Sequence, residues 1–415
     1  MKMESILPYD KKKMHLEGSN KPKPQAIILL LLVSFASVGA VLFTPALPSI
    51  SSFFHLSVGQ AQLTITSYLI GYALGQLPYG PLANRFGRKI TLYIGISLSI
   101  VGCLLCAVSS SFASFKLLVF ARFLQALGAS VGLKISFTMI ADVYSQTEST
   151  KMIARNLIAF AVMPGLAVAM GGWLTHLFGW ESCFYFLALF GAFVLWLSTK
   201  LPETAQSLDR YALGVSSIIH GYTLKFKNQR LVISGFMLGC VSSVLYIFAS
   251  KAPFIGISLV GLTPDVFGTY NLIPLSGMLL GGLLSGRLAG RFPLLGLLLT
   301  GIVASFIATF TMLIPFSIGM FNSVTLFFPM FLIYMAEALV FANISSFGLA
   351  HAQNKSNGSA VLNFINLSIT VVAVVLSEFI YPELAILMPI SFLIFFFLCF
   401  LLWLRLRNLD SASPT

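Results

Sequence analysis

Residues 80–89 read Gly80-Pro-Leu-Ala-Asn-Arg-Phe-Gly-Arg-Lys89, and most of that stretch returns 206 positions later as Gly286-Arg-Leu-Ala-Gly-Arg-Phe292. The apolar lead-ins align too: Gly71, Leu74, Gly75 and Leu77 fall on Gly277, Leu280, Gly281 and Leu283. Each copy stands where a long hydrophobic run ends in a short basic loop. This pattern predicts a doubled unit whose two halves share one orientation in a bilayer.

Composition agrees with a bilayer solvent. Hydrophobic residues make up 57% of the 415, charged residues 9%, and mean hydropathy is +0.92. A soluble domain carries about a quarter charged residues, so no water-soluble surface can be built from this chain. The net charge of +12 does not indicate nucleic acid, because the basic residues are scattered between apolar runs instead of forming one stripe. The five cysteines (Cys103, Cys106, Cys183, Cys240, Cys399) lie in apolar runs without ligand or disulfide spacing and read as small packing residues.

Runs long enough to cross a hydrocarbon core of about 30 Å fall at 26–49, 61–82, 90–111, 115–141, 152–177 and 182–201, then at 231–252, 265–286, 294–317, 323–348, 358–380 and 384–405. The expected organisation is therefore a polar N-terminal tail (1–25), a six-helix half (26–201), a connector (202–230), a second six-helix half (231–405) and a short tail (406–415). The run from Ala26 lacks a small-residue cleavage site and is expected to be the first span, not a removed leader. With the N-terminus inside, all of the 25 lysines and arginines except Lys116, Arg122, Lys134 and Lys251 fall on the inner side. The positive-inside rule then places both termini in the cytoplasm.

Gly71-xxx-Gly75, Gly235-xxx-Gly239, Gly277-xxx-Gly281 and Gly282-xxx-Gly286 each put two side-chain-free positions one turn apart. Lipid gives no hydrophobic drive for helix association, so such pairs are expected to mark close backbone approach.

From about residue 26 onward the chain resembles the major facilitator superfamily, and within it the bicyclomycin-resistance (Bcr/CflA) drug-exporter branch. The residues that carry the likeness are Gln62-Leu-Thr, Tyr68-Leu-Ile-Gly71 and Gly75-Gln76-Leu77 leading into the Gly80–Lys89 loop, then Arg122-Phe-Leu-Gln125-Ala-Leu-Gly128, and Pro164 with Gly171-Gly172-Trp173. Ser250-Lys-Ala-Pro-Phe254, Phe267-Gly268, Phe341-Ala-Asn343 and Gly358-Ser-Ala360 extend it into the second half. The resemblance implies an all-α membrane protein of twelve transmembrane helices in two pseudo-symmetric halves. It also implies a cytoplasmic gate at Gly80, Asn84, Arg85, Gly87, Arg88 and, in the second copy, Arg291, with Pro164, Gly171 and Gly172 packing span 5.

Three departures bear on mechanism. Asn84 stands where the family's loop has an aspartate that pairs with nearby arginines, so that ion pair is expected to be missing. The branch's span-1 aspartate aligns near Val41, before the turn Pro45-Ala-Leu-Pro48, and span 1 has no acid. Where the family's antiporter motif reads Gly-Pro-x-x-Gly-Gly, this chain has Ala167-Val-Ala-Met-Gly171-Gly172.

An ionised side chain inside a bilayer is costly unless paired or facing a wet cavity, which singles out Arg122, Lys134 and Glu337. Adding the repeat offset to 134 lands within one turn of Glu337, so the two are expected at similar depth on facing walls of a central cavity, paired when the site is empty. Glu337 is then the candidate proton carrier. The competing readings are a permanent ion pair, or a lysine snorkelling outward. Arg122 is expected to hold a solute anion or tune a neighbouring acid, or else to bond backbone carbonyls for structure alone. Lys251 and Glu378 read as interfacial.

Gly128-Ala-Ser130-Val-Gly132 fits a nucleophile-elbow pattern, but it lies in an apolar helix with no strand before it and reads as packing. No phosphate-binding loop and no catalytic constellation is present in the sequence, so no cofactor, metal or enzymatic activity is expected. The expected function is secondary transport of a small organic solute across the inner membrane, by alternating access and as a monomer. Proton-driven drug or metabolite efflux leads by resemblance. The alternatives are carriage of an anionic metabolite or siderophore in either direction, or a non-transporting membrane sensor.

Overall fold

The computed structural model describes residues 23–205, 207–209, 228–350, 355–379 and 385–411. The first tail up to residue 22, most of the connector, and the side chains of Lys151, Arg155, Lys355, Glu378 and Gly358-Ser-Ala360 lie outside the described residues.

The apolar runs fold as α-helices because a backbone in lipid must satisfy its own hydrogen bonds. Span 1 is α1 (Ala26–Val41), a 3₁₀ turn (Thr44–Ala46) and α2 (Leu47–Phe53), broken where Pro45 and Pro48 remove donors. Span 2 is α3 (Val58–Gly75) and α4 (Tyr79–Phe86), span 3 is α5 (Arg88–Val108), and span 4 is α6 (Phe115–Ala129) and α7 (Val131–Val143). Spans 5 and 6 are α8 (Gln146–Phe178) and α9 (Glu181–Thr199). In the second half, α10 (Gln229–Pro253) continues into a π turn (Phe254–Leu259), and α11 (Pro264–Tyr270) and α12 (Leu272–Leu288) form span 8. Spans 9 to 12 are α13 (Leu294–Ser317), α14 (Ser323–Ala350), α15 (Lys355–Phe379) and α16 (Leu387–Ser411).

The described residues thus form twelve helical rods, of which nine are long and apolar enough to cross a membrane. In rods 5 and 11 the described apolar stretches are Val162–Phe178 and Val361–Ser377. Helix starts are fixed locally: Ser57 with Gln60, and Ser145 with Glu148, form reciprocal capping boxes.

The repeat appears in packing. A side-chain carbon at Gly71 or Gly75 would run into the carbonyls of Phe123 and Leu127 on α6, so α3 and α6 lie backbone to backbone. At the equivalent place in the second half, Gly277 and Gly281 face the carbonyls of Phe331 and Met335 on α14. Gly235 and Gly239 pack on Ile365 and Ile369 of α15. Gly282 and Gly286 do not follow this rule, because both face open space. Their expected packing role is corrected: the repeat turns Gly277, Gly281 and Ser285 toward α14 and leaves the other glycine pair on the opposite side of α12.

Gly128 and Gly132 are likewise packing positions, against α5 and Leu32, and the Ser130 hydroxyl donates to the Leu127 carbonyl at 2.8 Å. All five cysteines are buried.

Candidate functional site

Between the halves lies a cavity of about 40 Å³. Val41 and Thr44 of span 1, Pro164 and Val168 of α8, and Leu245, Phe248 and Ala249 of α10 form three of its sides. Phe267 and Asn271 at the break of span 8, Leu275 and Met278 below it, and Tyr334 of α14 close the rest. Both halves contribute, and the lining is apolar apart from Thr44, Asn271 and the Tyr334 hydroxyl. Val41, the position of the missing span-1 acid, is itself part of the wall.

The halves approach closely on the side away from the Gly80–Lys89 loop, the far rim. Gly172 lies against the Pro264 carbonyl and Gly268, and Gly268 against the carbonyls of Val168 and Ala169. Gly171 packs on the Leu42 carbonyl within the first half. The Gln62 amide donates to the Ser250 carbonyl at 3.2 Å, tying span 2 to span 7.

Arg122 is fully buried at 0% exposure. Its guanidinium donates to the carbonyls of Gly39 (2.9 Å), Ala40 (3.3 Å) and Thr64 (3.3 Å) and to the Gln125 side chain (2.7 Å). The Phe43 and Tyr68 rings lie 4.0 and 4.2 Å from its charge centre. These contacts lie within the first half, and Arg122 is not among the residues lining the cavity.

Glu337 is 4% exposed, within electrostatic reach of Tyr334 and Cys399. Among the described residues its Oε1 has no hydrogen-bond partner. The expected facing pair is not formed: no ion pair between described residues joins Glu337 to Lys134, which is half-buried on α7. Lys251, expected at an interface, is 5% exposed at the end of α10.

At the loop, position 84 carries no carboxylate, and an arginine pair forms with a different acid. Asn84 is exposed, and its carbonyl accepts from the Asp209 amide at 2.9 Å. Arg88 instead pairs with Asp142 at the end of α7, Nε to Oδ2 at 2.9 Å and Nη2 to Oδ1 at 3.3 Å, while Nη1 donates to the Ala83 carbonyl. The Thr204 hydroxyl donates to the same carboxylate at 2.9 Å. Gly87 adopts φ 91°, and a side chain there would strike Glu203. Glu203 accepts from the amides of Arg88, Lys89 and Ala205. Partial burial pushes the Glu203 carboxyl up, but these amides outweigh it and hold the group below the usual glutamate range. Arg85 lies over the Phe86 ring. Gly80 is half-buried in α4, and Arg291 is exposed beyond α12.

Asp142, Glu203 and Thr204 had not been singled out in the sequence. The only signal was an acid at the end of span 4 and a second just past span 6, each a basic loop's natural partner.

The Major Facilitator Superfamily model matches residues 29–374, and the chain belongs to that family. It is 30% identical to an uncharacterized transporter of Rickettsia felis, over 64% of this chain and 65% of that protein. It is 26% identical to the bicyclomycin resistance protein homolog of Haemophilus influenzae (65% and 68% covered) and 25% identical to multidrug resistance protein D of Escherichia coli (76% and 78%). The matches thus span about two thirds of the first of these relatives' length. A solved D-xylose-proton symporter shares the fold, with TM-score 0.74 and 17% identity over 92% of this chain and 96% of the other. Twelve rods in two halves and an integral membrane location follow from this membership.

Proposed function

We propose that this chain is a secondary transporter that carries a small, predominantly apolar organic solute through the cavity between its halves by alternating access. The observation that carries this reading is the cavity itself, walled by both halves and lined by apolar and aromatic side chains with no charged group among them. Such a wall suits an amphipathic drug or metabolite, in keeping with the drug-resistance proteins among the relatives. Orientation with the basic loops in the cytoplasm of a bacterial inner membrane, action as a monomer, and the absence of enzymatic activity belong to the same proposal.

Protons are the proposed coupling ion and Glu337 the proposed carrier. It is a buried acid of the second half, one turn from the cavity-lining Tyr334, with an oxygen left for a proton. The gate role of the loop rests here on Arg88 and Asp142, with Asn84 a bystander. An anionic solute has less support, because the donors of Arg122 are taken by carbonyls.

Proteoliposomes loaded with lipophilic amphiphiles, with and without a pH gradient, test both parts. Gradient-driven movement that Glu337→Gln abolishes while downhill exchange persists supports the reading; gradient-driven movement at the wild-type rate in Glu337→Gln removes Glu337 from it.

A further inference from the structure

The far rim carries an ion pair that joins the two halves. His176, near the end of α8, places Nδ1 3.3 Å from Oδ1 of Asp265 in the first turn of α11. Two further ion pairs, Lys23–Glu148 and Arg88–Asp142, lie within the first half. His176 stands one turn beyond Gly172, on the face that meets Pro264 and Gly268, so the pair sits beside a close backbone approach between the halves.

The geometry is built from the Asp265 side. Asp265 stands in the first turn of α11, and the Thr263 side chain, the first-turn amides and His176 hold its carboxyl below the usual aspartate range. Its Oδ1 is buried and has no hydrogen-bond partner among the described residues. The imidazole nitrogen is within ion-pair distance of that oxygen but is not aligned as a hydrogen bond. Attraction across the seam therefore depends on the charge of the ring. The His176 side chain is 44% exposed, open to protons from the rim, and that of Asp265 is 17% exposed.

The other ionisable groups on elements packed against this corner are Cys183 and Glu181 on α9, Tyr270 on α11 and Lys251 at the end of α10. Cys183 is turned to Gly171 and Thr175, and the Glu181 carboxylate lies by Gly179.

We propose that His176 and Asp265 form a proton-operated latch on the far rim: a protonated ring holds α8 to α11 and keeps this rim shut, and loss of the proton frees the halves to part. Histidine is the side chain whose charge ordinarily changes between pH 5 and 8, so that range is the one over which the rim is compared. The latch rests on the proposed rocking of the halves but requires no knowledge of the solute.

The test uses full-length protein in lipid nanodiscs, with spin labels at Phe112→Cys and Ile318→Cys. These exposed positions lie in far-rim loops of opposite halves, and the native cysteines are buried. The labelled wild-type background is expected to show a long-distance population that grows several-fold from pH 5.5 to pH 8. His176→Gln and Asp265→Asn are each expected to give one distribution at both pH values, and the double variant to match the singles. A wild-type distribution that does not change with pH, or a pH response that survives in either variant, overturns the latch. The distances are read without transport, so failure of every solute to move would count against the proposed function and leave this result standing.

Discussion

Arg88 grips both carboxylate oxygens of Asp142, at 2.9 and 3.3 Å, and so fastens the loop between spans 2 and 3 to the end of span 4. With the Glu203 carboxylate on the first amides of α5 and the Thr204 hydroxyl on Asp142, the start of the connector is bound to the same point. The basic loop of the first half is a closed knot. Its repeat around Arg291 is exposed, and the asymmetry follows from sequence: the second copy stops at Phe292 and lacks the Gly-Arg-Lys that completes the first.

Breaking one side of this pair should cost more than removing both. Asp142→Asn leaves a mostly buried guanidinium without its partner, a loss of about 3 kcal/mol for such a change. Thermal unfolding in detergent should show a clear drop for Asp142→Asn and a smaller one for Arg88→Met with Asp142→Leu. Equal drops would mean the pair is not the fastening.

Glu203 makes a pH-dependent contribution. Its carboxyl lies below the ordinary glutamate value of about 4.3, so the native fold prefers the ionised form. The stabilisation is complete above that value and fades as pH falls through and below it. The group is exposed, so the effect is modest. Melting curves between pH 6 and pH 3 should fall further for the wild type than for Glu203→Gln; parallel curves would contradict the assignment.

Arg122 offers a different readout. Its fork satisfies carbonyls of α1 and α3 while stacked between Phe43 and Tyr68, and an ammonium cannot reproduce that geometry. Arg122→Lys should lower the melting temperature by several degrees whether or not solute is present. A variant of unchanged stability with weakened solute binding would return Arg122 to the anion-binding role.

The glycines separate by environment. Gly71→Ala and Gly277→Ala should each disrupt folding or sharply lower the melting temperature, because the added methyl meets a backbone carbonyl. Gly282→Ala faces open space and should be neutral or slightly stabilising, given the greater helix propensity of alanine. Similar melting temperatures for all three would sink the packing account.

Much of this was visible in the chain. The span pattern and the glycine pairs are local, set by hydropathy and by a period of one helical turn, and the 206-residue offset placed Gly71 and Gly277 in matching contacts. What stayed hidden depends on helix rotation and on distant partners. Gly282-xxx-Gly286 has the same spacing as Gly277-xxx-Gly281 but points the other way. Arg122 was conspicuous as a buried charge, yet three of its four acceptors are main-chain carbonyls, which no residue letter records. Lys134 and Glu337 matched in the repeat, but equivalent positions in two halves need not face each other. His176 and Asp265 are unremarkable polar residues near span ends until α8 and α11 meet.

The central claim is that the cavity between the halves is the solute path, and filling it is the most direct test. Ala249 lines the cavity on α10. Proteoliposomes carrying wild-type protein should move at least one amphiphile from a panel of lipophilic probes faster than protein-free vesicles, and a folded Ala249→Trp variant should reduce that rate to background. Wild-type rates through the blocked cavity, or no movement of any probe by the wild type, would contradict the account.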